Sequence, residues 1–239
     1  MPTPPDTVFA VDAVLFDSDG VLVDSEPSVV RAWTALARRY GLDPDGVLAV
    51  VHGRRAADTI KELLPADVVA EATAYINRIE LDDASRTAAI PGAGPLLRSM
   101  PAGRWAVVTS GVRPLAVARL RAAGLPLPDV VVTSEDIARG KPAPDAYLRA
   151  AERLGVEPGR ALVVEDSGSG IQAGRAAGVA AVLGVGERAA AYRPDAVVPD
   201  LTAVWWSGSA GSGGSAGSAG SAGSARSAGA IVVAGACRG

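Results

Sequence analysis

Two aspartates separated by one serine, Asp17 and Asp19 in "AVLFDSDGVLVDSE" (13–26), follow directly on four apolar residues. An apolar run of that kind reads as a strand buried on both faces, and carboxylates delivered at its end are costly unless a counter-charge meets them. Three more polar points follow short apolar runs: Thr109, Ser110 and Gly111 after "WAVV", Lys141 in the "GKPAPD" beyond "VVVT", and Glu165 and Asp166 in "ALVVEDSGSG". In an open parallel sheet, functional groups collect where strands end at their carboxyl edge. Carboxylates converging there without His or Cys suit a hard cation, magnesium being the natural one. A hydroxyl beside backbone N–H groups at the Thr109–Gly111 turn, with a lysine, makes a cradle for phosphate oxygens. A metal, a phosphate cradle and a carboxylate nucleophile amount to phosphoryl transfer. The chain has two lysines, Lys61 and Lys141, and uses arginine elsewhere, so position 141 reads as a demand for a compact ammonium.

Singly, each point has a plainer reading. "EDSGSG" fits a helix capped by Asp166 or Ser167, and a "TSG" turn or a "KP" pair carries little. Their order and spacing together carry the argument.

The elements that must position them are legible from the same runs. "AVLF", "WAVV", "VVVT", "ALVVE" and "AVLGV" alternate with helical patterns over 113–123, 144–154 and 170–177, each followed by glycine. Strands alternating with helices predict an α/β fold, a Rossmann-like parallel sheet core over 8–26 and 90–206. The interval 27–89 breaks the rhythm. Val29, Val30, Trp33, Leu36, Ala37 and Tyr40 recur at helical spacing, and further helices fit 56–64 and 67–81, so an α-helical cap domain is inserted after the first strand. From 207 to 239 a Gly/Ser/Ala-rich stretch with repeating "SAG" is expected to be a flexible tail, with "AIVVAG" left unpaired.

Composition excludes several classes. Over 239 residues the net charge is −3, 49% of residues are hydrophobic, and no Lys/Arg run offers a face for nucleic acid. The start lacks a secretory pattern and no stretch approaches a membrane span, so the expectation is a cytoplasmic monomer without nucleic-acid or membrane partners. The one cysteine, Cys237, has no intrachain mate.

"DSDGVLVDSE", "VTSG", "GKPAPD" and "VVEDSGSGIQAG" resemble, in order, the four signature motifs of the haloacid dehalogenase superfamily. The helical insertion resembles its subfamily I cap. The likeness runs from Val11 to about Leu201. It implies that Asp17 is a nucleophile forming an aspartyl-phosphate and that Asp19 acts as general acid and then base. Thr109 and Lys141, with Ser110 and Gly111, would bind phosphate. Magnesium would be held by Asp17, Asp19 and Asp166, with Glu165 a direct or water-mediated ligand. Asp19 argues against the metal-free dehalogenases and the phosphonate-cleaving relatives, which lack it. The β-phosphoglucomutases share all four motifs but carry a histidine where this chain has "EPSVV", which favours hydrolysis over mutase chemistry.

The cap stretch "VVHGRRAADTIKELL" resembles segments of sugar and polyol phosphate phosphatases. His52 and Arg55, with Glu26 after the first strand, are the candidates for substrate hydroxyls. The small phosphate ester is the expected partner. A non-catalytic phospho-ligand sensor with the same pocket is the alternative from a different class.

Overall fold

In a computed structural model, residues 6–208 and 229–234 are described. The chain enters β1 (Thr7–Val11), β2 (Ala13–Phe16) and the short β3 (Val23–Asp24), then four helices: α1 (Glu26–Arg39), α2 (Pro44–Leu48), α3 (Ala56–Leu63) and α4 (Val69–Asp83). It returns through β4 (Ala88–Ala89) and α5 (Ala93–Ser99). Next come β5 (Trp105–Val108), α6 (Arg113–Ala122), β6 (Val130–Val132), α7 (Asp145–Leu154), β7 (Ala161–Glu165) and α8 (Gly168–Ala176). The remainder is β8 (Ala181–Val185), α9 (Gly186–Ala190), β9 (Ala196–Val198), β10 (Val204–Gly208) and β11 (Gly229–Val233).

Six strands form a parallel sheet in the order β6-β5-β2-β7-β8-β9. Successive residues of each strand point to opposite faces. On one face Val14, Phe16, Val107, Leu162 and Val164 pack with Leu96 and Leu97 of α5. On the other, Ala13, Leu15, Val108 and Val163 pack with Tyr147 and Ala150 of α7 and Ile171 of α8. Burial on both faces is why these strands read as unbroken apolar runs. From β2 the chain builds outward through β5 and β6, then starts again at β7 and builds the other way. The switch point therefore lies between β2 and β7, where such sheets open a crevice beyond their carboxyl ends. β9 has no counterpart in the sequence reading, because "AVV" is too short to separate from loop.

The four helices gather their own apolar cluster around Trp33, Leu36, Ile60 and Ile76. β3 and β4 pair antiparallel, Val23 with Ala89 and Asp24 with Ala88, and so tie together the two points where the chain leaves and re-enters the sheet body. No helix among the described residues is long and apolar enough to cross a membrane.

The expected tail requires correction. Ser207 and Gly208 belong to β10, and β11 lies between β1 and β10 in a second, antiparallel sheet. Residues 209–228 and 235–239 lie outside the described residues. Ile231 and Val233 are fully buried in the sheet's core cluster, which offsets the ordering entropy that the composition alone suggested could not be met. Gly229 is required there, because a Cβ would collide with the Trp206 indole. Ile231→Ala should lower the unfolding free energy by about 2–5 kcal/mol in a urea titration, as expected for a truncated core side chain. Deletion of 209–239 should lose at least as much, and an unchanged midpoint would show that the strand contributes nothing.

Candidate active site

β2 ends at the switch point and delivers Asp17, whose backbone N–H donates to the carbonyl of Val164 on β7 (2.9 Å). β7 delivers Glu165 and Asp166 beside it, and the loop after β6 returns Lys141 between them. The buried ammonium of Lys141 donates to Asp17 Oδ1 at 2.5 Å, to Glu165 Oε1 at 2.6 Å and to the Val108 carbonyl at 3.3 Å. Burial alone would lower the lysine, but the carboxylates of Asp17 and Glu165 outweigh it and hold Lys141 well above the ordinary lysine value.

Glu165 is wholly committed within the protein. Its Oε1 also accepts from the Tyr147 hydroxyl (2.8 Å), and its Oε2 accepts from the backbone N–H groups of Asp166 (2.9 Å) and Ser167 (3.0 Å) and from the Ser167 hydroxyl (3.0 Å). Ser167 in turn caps α8 by accepting from Gly170 N (3.1 Å). Ser167 thus fills the helix-cap position of "EDSGSG", while Glu165 and Asp166 stand at the strand end beside Asp17. Gly20 has φ +81°, and a Cβ there would strike the Asp166 carboxylate. Only glycine lets the chain leave β2 this close to β7.

Ligand oxygens of Asp17, Glu165 and Asp166 can be found within 4.8 Å of one another. Burial raises Asp17 well above the usual carboxylate range despite Lys141. Asp166 is pushed up to about 7 by burial and by Glu165, with Arg188 opposing. Crowded, desolvated carboxylates with oxygen-only donors fit a hard divalent cation, which would relieve the excess negative charge. Asp19 stands outside this cluster. Its Oδ1 accepts from Arg119 (2.8 Å) and its Oδ2 from the Thr109 hydroxyl (3.3 Å), while Thr109 Oγ1 accepts from Gly111 N (3.0 Å).

A cavity of about 420 Å³ opens above, lined by Asp17, Asp19, Glu26, His52, Arg55, Ser110, Gly111 and Asp166 among others. Thr109, Lys141 and Glu165 are buried and not part of its lining. The substrate-side candidates are more engaged than the sequence suggested. Ser110 donates to the Gly53 carbonyl (2.8 Å), so it fastens the helical insertion to the sheet body, as does Ser169 on the His52 carbonyl (3.1 Å). Arg55 forks onto Asp58 (2.6 and 3.0 Å) and reaches the Ile137 carbonyl (3.3 Å). His52 lies half-buried with Nε2 3.7 Å from Glu26, and burial and Arg188 push it below the ordinary histidine value.

Arg119, Arg188, Tyr147 and Glu80 are the site's additions to the sequence reading. Arg188 bridges Asp166 (3.1 Å) and Glu26 (3.1 Å). Arg119 had a signal: it falls on the α6 stripe of Leu115, Ala116 and Leu120, where an arginine is out of place. Tyr147 shares the buried face of α7 with Ala146, Ala150 and Leu154. Arg188, on an exposed helix, had none.

Sheet, switch point and buried Asp–Lys–Glu bridge together define a phosphate-handling α/β hydrolase. The haloacid dehalogenase-like hydrolase family model matches residues 11–178, and the chain belongs to that family. It is 48% identical over 169 residues to hexitol phosphatase A of Escherichia coli, covering 69% of this chain and 78% of that one. It is 36% identical over 205 residues to validoxylamine A 7′-phosphate phosphatase of Streptomyces hygroscopicus, covering 80% and 95%. The crystal structure of CbbY from Rhodobacter sphaeroides with phosphate superimposes with a TM-score of 0.68 at 25% identity, over 80% and 95% of the two chains.

Lys141→Met would leave Asp17 and Glu165 buried without their cation. At neutral pH and without added metal it should cost roughly 3–5 kcal/mol in urea denaturation, as for other broken buried pairs. A loss below about 1 kcal/mol would show that the bridge does not organise the site.

Proposed function

We propose that the protein is a magnesium-dependent phosphatase that hydrolyses small phosphomonoesters, sugar or polyol phosphates, through an aspartyl-phosphate. One observation carries the reading. At the switch point, a nucleophile-type carboxylate, Asp17, shares a buried ammonium with Glu165, beside two further acids and the Thr109 turn. The names of the relatives, phosphatases both, support the reaction class.

Asp17 and Asp166, with Glu165 behind them, would hold the magnesium ion, which supplies positive charge to the phosphoryl oxygens. Lys141, buried behind Asp17, lends positive charge from the protein side, and Thr109 holds the Ser110–Gly111 turn that lines the cavity. Asp17 attacks phosphorus in line, the bond from phosphorus to the ester oxygen breaks, and Asp19 delivers a proton to the departing oxygen. Water then attacks the aspartyl-phosphate and gives a proton to Asp19, releasing phosphate and restoring Asp17. The helices over 26–83 act as a cap that excludes water and presents His52 to the leaving group. Arg55, committed to Asp58 and the Ile137 carbonyl, serves to seat that cap.

Asp17→Asn should abolish release of phosphate from hexitol and sugar phosphates while circular dichroism stays unchanged, and chelation of divalent metal should do the same to the native chain. Turnover near the native rate in either case rejects the reading, and sugar phosphate isomerised faster than it is hydrolysed would make the protein a mutase.

His52→Ala should lower kcat/KM for a preferred polyol phosphate about ten- to a hundredfold, the loss expected of one polar contact in a closed site, and far less for p-nitrophenyl phosphate. Equal losses on both would assign His52 to the fold or the chemistry instead.

A further inference from the structure

Arg119 lies on α6 of the sheet body, 2% exposed, with Nη1 on Asp19 Oδ1 at 2.8 Å. Its Nε and Nη2 have no hydrogen-bond partner among the described residues. Across the boundary with the helical insertion stands Glu80 of α4, also buried, 3.8 Å from Nη2. A guanidinium is a rigid fork of donors. Buried and fixed on one carboxyl oxygen, it sets how that carboxyl group is turned. Asp19 Oδ2 is thereby left toward the Thr109 hydroxyl, and Asp19 lines the cavity.

We propose that Arg119 is a positioning residue that aims the Asp19 carboxyl, and that Glu80 makes the aim depend on the helical insertion being seated. The inference rests on the phosphatase reading above and adds to it. With Oδ1 held by Arg119 at 2.8 Å, Oδ2, which has only the longer 3.3 Å contact with the Thr109 hydroxyl, is the oxygen left to meet the ester oxygen in the two steps given above. Arg119 and Glu80 both line the cavity beside Asp19, and in this assignment they act through that carboxyl group. An open insertion withdraws the Glu80 carboxyl group from the far side of the guanidinium and loosens the acid before substrate is enclosed.

The test uses two aryl phosphates that carry no hydroxyl groups, so recognition of a polyol cannot enter. p-Nitrophenolate leaves without help from an acid, whereas phenolate needs its proton. kcat/KM reports events up to and including the first phosphoryl transfer, and the ratio of the two values within one variant does not depend on how much protein is folded. Arg119→Met should lower kcat/KM for phenyl phosphate about ten- to a hundredfold, the scale of a misplaced catalytic group, and that for p-nitrophenyl phosphate less than about threefold. Arg119→Lys, which can restore a single donor, should recover part of the ratio. Glu80→Gln keeps the shape and should shift the ratio in the same sense by less. An unchanged ratio in Arg119→Met overturns the assignment, and an unchanged ratio in Glu80→Gln overturns the part given to the insertion. A native protein that hydrolyses neither these esters nor hexitol and sugar phosphates overturns the phosphatase reading itself, which separates the two failures.

Discussion

One ammonium group, that of Lys141, stands between Asp17 and Glu165 with almost no water near it. Three segments far apart in the sequence meet at that point: the end of β2, the end of β7 and the loop after β6. In a dry interior an ion pair is retained only where geometry is tight and the remaining donors and acceptors are met. Here Tyr147, Ser167 and two backbone N–H groups complete Glu165, and the Val108 carbonyl completes the lysine. The lysine still leaves more buried negative charge than it can neutralise, and burial together with Glu165 pushes Asp166 up to about 7. The same interaction thus fixes the strand ends and crowds Asp17, Glu165 and Asp166 at one point.

Above it the helical insertion meets the sheet body in part through contacts that do not depend on a matching side chain. Ser110 and Ser169 donate to the carbonyls of Gly53 and His52, and Arg55 reaches the carbonyl of Ile137. Such bonds are individually modest, about 0.5–1.5 kcal/mol net, and would suit the cap proposed above. Arg188 and Glu26 add a charged contact near the paired strands β3 and β4, where motion would be centred.

The parallel sheet and the motif residues were legible because both obey short-range rules. Buried strands are unbroken apolar runs, and chemistry follows at their ends. The acids, Thr109 and Lys141 were found on that basis. Arg188 and Glu80 were not, because their partners are distant in the chain and their own surroundings look like solvated helix. Arg55 shows a related limit: it lines the cavity and is also forked onto Asp58, three residues on, and a pattern cannot say which partner an arginine will take. The tail failed differently. Its composition is that of a linker, and composition averages away five residues, Gly229–Val233, that pair with β1 and β10.

That last strand has a bearing on how the molecule is made. Val11 pairs with Gly229 and Thr7 with Val233, so the six-stranded sheet and the helical insertion both lie, in sequence, between two strands of one small sheet. Contacts of such long sequence separation form late, after the loop they close has been ordered. During synthesis β1 emerges first and β10 much later, and each shows an unsatisfied edge to the cell until residues 229–233 leave the ribosome. Nascent chains are most exposed to mispairing in that interval. The catalytic sheet is complete by then, so the closing step is one of protection: it seals two open edges on a body that already holds its site.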